Sequence, residues 1–388
     1  MRSGRGLWLI FCLNAFLFGA GESGEIKTFP TTGPLRFDLT EALDHPLYWW
    51  PRTLLSYPVR FERAKIKPGT LTLAGSDSNV PVPFQLSGVK MRDGYLEFAF
   101  VNFFADLPTA GHRVFELSAE GAEGVALSPL KPVGESRAGN TITLDTGAIK
   151  VRIPGSQKIA GEAPGPILQI SRGGAWFGQS RIMSAKRKPL AISTSRIEAG
   201  PLFITYQVRY AFDGGSSYTA TIRAVSGYEF VSLFEEIQGI SKDDAVQVET
   251  SWNNFHPTHR QAPNHPYYPR LPNNGKRGFE RFDFEKIGQN FVNTQHGVTA
   301  TAGGEMPFRL GIYEPWGAYV ILNSANFWDE RTGDAIGVFI DRTDQWQDHD
   351  YSIWSASPSL QVRYFYDKDL MSWRWPLVTG TRSTCIAA

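Results

Sequence analysis

Apolar and polar residues alternate one by one over long stretches of this chain. Between Phe203 and Phe212, Ile204, Tyr206, Val208, Tyr210 and Phe212 alternate with Thr205, Gln207, Arg209 and Ala211. A period of two puts every second side chain on one face and predicts a half-buried strand of an antiparallel sheet. Asp213-Gly214-Gly215 follows as a hairpin turn, since glycine accepts positive φ without steric cost. A second alternating run covers Tyr218 to Val225. Ser226-Gly227 turns the chain again, and a third strand passes through Phe230, Leu233 and Ile237. Together they predict a meander inside a large sheet.

The same punctuation recurs elsewhere. Pro58-Val59-Arg60-Phe61, Thr70-Leu71-Thr72-Leu73, Val80 to Leu86, Tyr95-Leu96-Glu97-Phe98 and His112 to Leu117 read as strands of a first domain, residues 28–120. Pro81 and Pro83 mark an edge or bulged strand, because proline cannot donate to a ladder. Residues 121–139 carry Gly, Pro and Ser with little periodicity and read as a linker. Asn140 to Gly147, a strand and turn, opens a second domain covering 140–388. No long amphipathic helix and no fixed-period repeat interrupts the pattern, so the expected fold class is all-β, in two domains. The tail Trp373-Arg374-Trp375-Pro376-Leu377 reads as the start of a further element.

Composition changes this picture at the ends and in the choice of partner. Arg2 and Arg5 precede an apolar run from Leu7 to Phe18, and Gly19-Ala20-Gly21 supplies small residues for cleavage. Residues 1–21 are thus a secretory signal peptide, too short to span a bilayer. The mature protein is expected to be secreted or periplasmic, with no membrane association once the signal is removed. Cys12 leaves with the signal, so Cys385 remains alone and no intramolecular disulfide can form. Stability then rests on a hydrophobic core, and a chain this long can bury about three-quarters of its unfolded surface. Net charge is +1, from 39 basic and 38 acidic side chains with no basic block, which argues against nucleic acid. Aromatic residues make up 13% of the chain, with 11 Trp, a content that suits stacking against sugar rings in an exported protein.

Several short segments carry a family likeness. Tyr57-Pro58-Val59-Arg60-Phe61, Val82-Pro83-Phe84-Gln85-Leu86 and Ala105-Asp106-Leu107-Pro108 resemble the N-terminal barrel domain of exo-rhamnogalacturonan lyase-like proteins. The strand Asn140 to Val151, the run Gly200-Pro201-Leu202-Phe203 with its meander, and Thr379 to Thr384 resemble the central β-sandwich that follows it in that family. The resemblance implies a small N-terminal β-barrel followed by a large antiparallel β-sandwich of super-sandwich type. It also implies a pectin or rhamnogalacturonan partner and a C-terminal α/α toroid, which is lacking after Ala388.

A uronate β-elimination needs a group that neutralises the carboxylate, a base for the C5 proton and an acid for the leaving oxygen. The loop-like stretch from Trp252 to His296 holds four of the seven histidines and could supply all three. His256 or His259 is the candidate base, because histidine titrates near neutral pH. Tyr267 or Tyr268 is the candidate acid. Asn253, Asn254, Arg260 and Arg270 are candidates for holding the carboxylate, and Trp252, Trp328 and Trp346 for stacking on sugar. His256-x-x-His259 with His265 lacks the Cys or carboxylate that would complete a zinc spacing, so no metal site is assigned. The acidic run Asp341 to Asp350 lacks the glycine and terminal glutamate of an EF-hand and reads as a solvated turn. No cofactor is expected, although a divalent cation would be compatible with the chemistry. Two rivals stay open: a non-catalytic polysaccharide-binding sandwich, and an accessory domain of a glycoside hydrolase, whose chemistry needs two carboxylates across one cleft.

Overall fold

The computed structural model describes residues 26–41, 49–61, 65–76, 80–119 and 131–255, together with strand and turn segments within 259–388. Every regular element of any length there is a β-strand, and the helical turns are three short 3-10 pieces. The chain is an all-β protein that divides into two compact units, with the boundary in sequence between Leu130 and Lys131.

The first unit holds two sheets. Trp50–Arg60, Tyr95–Leu107 and Phe84–Arg92 pair antiparallel, with Lys27–Thr28 added in parallel at the edge. His112–Ser118 lies between Leu35–Thr40 and Thr72–Gly75 in the other sheet. Side chains from both sheets, Phe37, Val59, Leu73, Val101, Phe103 and Leu117, fill one core, and the Phe37 and Phe103 rings lie 5.4 Å apart. Arg92 pairs with Tyr95 across the two-residue turn Asp93-Gly94, where both residues have positive φ (52° and 81°). That geometry matches the twist of the flanking strands. Pro81 makes only an isolated bridge to Ala74, and the ladder begins at Phe84, beyond both prolines.

The second unit has three main sheets around a second core. Phe203–Phe212, Ser217–Val225 and Phe230–Gln238 are consecutive antiparallel neighbours in the ten-stranded sheet, the meander that the alternation predicts. Gly214 and Gly215 carry the first turn at φ 67° and 78°. The six-stranded sheet contains Gln179–Met183, Gln247–Ser251 and Leu370–Pro376 as neighbours. The five-stranded sheet runs Ala175–Phe177, Gln169–Arg172, Lys150–Pro154, Thr141–Asp145, Gly134–Ala138. Val151 and Ile170 from this sheet, Tyr206 and Ile222 from the largest, and Val248 and Trp373 from the third share the core.

Two segments differ from the reading of the sequence. Residues 134–138, at the end of the stretch read as a linker, form the edge strand of the five-stranded sheet. They show no apolar period because the strand is exposed along most of its length. The tail is not the start of a further element. Leu370–Pro376 lies inside the six-stranded sheet, and Gly380–Ala387 lies inside the ten-stranded sheet, between Phe230–Gln238 and Ala335–Ile340. Its two tryptophans and one of its two arginines are core residues: Trp373 and Arg382 are both 0% exposed and Trp375 is 4% exposed.

Arg382 is balanced within the core. It donates through Nη2 to Glu235 Oε1 at 2.6 Å, through Nε to Glu235 Oε2, and through Nη1 to the Pro376 carbonyl at 2.8 Å. Tyr218 donates its hydroxyl to Glu235 Oε1 at 2.6 Å and stacks on Tyr210 at 5.3 Å. Burial, reinforced by the Glu235 charge, pushes the Tyr218 phenol well above its ordinary range. The cross-strand register places Glu235 directly opposite Arg382, so one ladder position carries both charges.

Candidate functional site

The outer corner of the five-stranded sheet gathers an indole, a guanidinium and several amides. Arg172 pairs with Ala175 across Gly173-Gly174, at φ 64° and 101°, and this tight turn aims the short strand Ala175–Phe177 back along the sheet. Alternation then separates its two aromatic residues. Phe177 points inward and meets Phe255 edge-on at 5.9 Å, while Trp176 points outward and stays half-buried. The Arg152 guanidinium sits 3.7 Å from the centre of the Trp176 ring, a cation–π stack. Arg152 Nη1 donates to Gln169 Oε1 at 2.6 Å, from the residue directly opposite it in the ladder. Stack and hydrogen bond together hold the guanidinium plane fixed. Among the described residues, no carboxylate pairs with Arg152.

The loop Trp252–Phe255 reaches the same corner. Trp252 is 1% exposed and packs edge-on against Trp373 at 4.7 Å, and Phe255 is also buried. These two anchors leave Asn253 and Asn254 between them at the surface. Asn253 Nδ2 donates to Gln179 Oε1 at 3.1 Å, and Asn254 Nδ2 donates to the Trp176 carbonyl at 3.4 Å. Asn254 takes the left-handed conformation at φ 65°, which asparagine tolerates better than most residues. Gly178, at φ 94°, donates its N–H to the Asn253 carbonyl. A Cβ there would stand 3.3 Å from the Trp252 ring, so the loop needs this glycine.

The residues singled out by sequence divide accordingly. Asn254 contacts the Trp176 backbone and Asn253 contacts Gln179, so both lie at this corner of the sheet. Trp252 is a core anchor whose ring is 1% exposed and packed on Trp373, while the indole at this surface is Trp176. His259 and Arg260 fall on the strand His259–Pro263, with His259 directly opposite Trp328 and Arg260 opposite Phe327. Trp328 is half-buried. His256, Tyr267, Tyr268, Arg270 and Trp346 lie outside the described residues. Among the described residues, no group of three His, Cys, Asp or Glu side chains could hold a metal ion. Sequence reading missed Trp176, Arg152, Gln169 and Gln179. The signal available was Gly173-Gly174 followed at once by an aromatic pair, a tight hairpin that must present one ring to each side.

A second polar cluster closes the edge of the sandwich. Tyr206 donates to Glu135 at 2.6 Å, Arg196 donates to the other carboxylate oxygen at 3.1 Å, and Arg137 donates to the Tyr206 hydroxyl at 3.2 Å. Burial raises the Glu135 carboxyl, but the hydrogen bonds from Tyr206 and Arg196 and the charges of both arginines outweigh it and hold the group below its usual range.

No protein-family model matches the chain, and no curated protein matches it. Solved structures do. The fold resembles that of an α-mannosidase. That protein, from Enterococcus faecalis V583, superposes with a TM-score of 0.50 at 10% identity, over 93% of this chain and 44% of its own. A protein in the glycosyl hydrolase family 38, also from Enterococcus faecalis, gives a TM-score of 0.47 at 9% identity, over 93% and 45%. The chain thus spans less than half the length of either, and at such identity the likeness to the mannosidase is one of fold.

Proposed function

We propose that this is an exported, carbohydrate-directed β protein that holds pectic polysaccharide on the surface around Trp176. The observation that carries this reading is the fixed Trp176–Arg152 pair with Gln169, Asn253 and Asn254 around it. An indole packs against the C–H face of a pyranose ring, amides bond its hydroxyls, and a guanidinium without a carboxylate of its own receives a uronate carboxylate. The fold shared with an α-mannosidase supports the carbohydrate class. In this reading the chain supports β-elimination next to the bound sugar. Asn254 leads within two residues to His256, and His256, His259, Tyr267 and Tyr268 would supply base and acid. A C-terminal α/α toroid, which the family resemblance implies, would complete the cleft.

Calorimetric titration of the whole chain with rhamnogalacturonan and with an uncharged glucan tests the proposal. Saturable binding to the first, lost in Trp176→Ala and weakened at least tenfold in Arg152→Gln, is the expected result. Equal retention of both variants by rhamnogalacturonan would place binding elsewhere.

A further inference from the structure

The outward face of the five-stranded sheet continues the Trp176 site in two straight rows. Ladder register sets Trp176, Ser171, Lys150, Asp145 and Gly134 side by side across the five strands, with Ser171 itself buried at 2% exposure and the other four open to the surface in whole or in part. The next outward row is Gln169, Arg152, Thr143 and Ser136. Their chain neighbours Ile142, Leu144, Val151, Ile170 and Phe177 point into the core, so the outward face is polar by strict alternation. Trp176 is the one aromatic residue on it. Lys150 is matched by Asp145 at 3.6 Å, which leaves Arg152 as the unmatched charge of the face. Thr143 is half-buried and Ser136 exposed, and both hydroxyls extend the row away from the indole.

We infer that this face is a track for one extended acidic polysaccharide chain lying across the strands, with Trp176 at one end and Ser136 at the other. The inference rests on the reading that Trp176 and Arg152 hold a uronate-bearing sugar. Five strands about 4.8 Å apart span about 19 Å, so the track accommodates several consecutive sugar units rather than one. Charge selects the occupant: a single unmatched guanidinium on an otherwise neutral hydroxyl and amide surface fits a glycan with spaced carboxylates. A nucleic acid or an acidic protein segment would call for more cations. The pre-formed surface loses little ordering entropy when an extended chain binds.

The test is titration of the full chain with rhamnogalacturonan oligosaccharides of increasing length, in which carboxylates fall on alternate sugars, using wild type and the double variant Thr143→Ala/Ser136→Ala. Affinity is expected to rise with length until the oligomer covers the track and then to level off. In the double variant, long oligomers should lose about tenfold, as two hydrogen bonds are removed, while the dimer is unaffected. Both positions are off the core, and an unchanged melting temperature would confirm that the fold is intact. Binding that ignores length, or a length dependence that survives the double variant, would overturn the track while leaving the Trp176 site standing. No binding to any oligomer would overturn that site as well.

Discussion

Arg382→Met removes the cation from the most deeply buried charge pair among the described residues. Glu235 and Arg382 are 1% and 0% exposed and meet through two guanidinium nitrogens, and Arg382 also caps the Pro376 carbonyl. Deleting one partner strands a carboxylate in the core, and breaks of this kind cost about 3–5 kcal/mol. For a unit of this size, that corresponds to a melting temperature lower by roughly 6–20 °C. Arg382→Met/Glu235→Leu removes both charges and should recover most of the loss, because the desolvation cost disappears with the attraction. Tyr218 would keep a share of the penalty, since its hydroxyl loses the Glu235 acceptor. The assay is urea unfolding at neutral pH followed by tryptophan fluorescence, which reports on this core through Trp252, Trp373 and Trp375. If the single variant fails to fold, Arg382→Lys keeps the charge, loses the two-point contact and gives a measurable intermediate. A single variant within about 1 kcal/mol of wild type, or a double variant no more stable than the single, would refute the assigned role of this pair.

Gly178→Ala forces a side chain into φ 94° and against Trp252 at 3.3 Å; a loss of about 1–2 kcal/mol is expected by thermal melting, together with weaker glycan binding, because Asn253 hangs on the same strand start. Gly94→Val acts in the other unit, where the turn needs φ 81°; about 1–2 kcal/mol should be lost there, and an unchanged melting curve would contradict the turn geometry. Asp244 accepts from the Ser241 backbone and hydroxyl and from Arg187, which lower its carboxyl from the usual 3.8 to about 2. A lowered folded value means stability that is present above about pH 4 and fades as pH falls toward 2. The stability gap between wild type and Asp244→Asn should therefore shrink over that window in urea titrations, and a gap independent of pH would argue against the assignment.

Much of the frame was legible because the sheets obey simple alternation. The meander from Phe203 to Ile237 and the turn at Asp213-Gly214-Gly215 follow from period and glycine alone. The edge strand Gly134–Ala138 did not, since an exposed edge has no apolar face to betray it. The segment Trp373 to Leu377, read as the start of a further element, was misread for a related reason: only pairing with Gln247–Ser251, more than a hundred residues upstream, makes Trp373 and Trp375 core. At the candidate site, local sequence singled out Asn253 and Asn254, which lie at the surface, and favoured Trp252, which is buried, over Trp176. Which of two tryptophans is exposed depends on what packs above each, and for Trp252 that is Trp373, far along the chain. Arg152 was invisible because its meaning is a ring from another strand.

The late position of Gly380–Ala387 in the ten-stranded sheet sets an order for synthesis. As the chain leaves the ribosome, Phe230–Gln238 emerges with one edge open, and Glu235 has no cation until residue 382 follows it. For the whole interval in which residues 239–379 are made, a strand with an unpaired backbone and an unneutralised carboxylate waits on the nascent polypeptide. Closure of the sheet therefore waits until residues 380–387 have been made and joins the two ends of a long loop, and non-local pairings of this kind fold slowly. A charge in the open edge also discourages premature pairing with other chains. The carboxylate that ends in the core ion pair thus first serves as a charge on an open edge, disfavouring wrong partners until its proper neighbour has been translated.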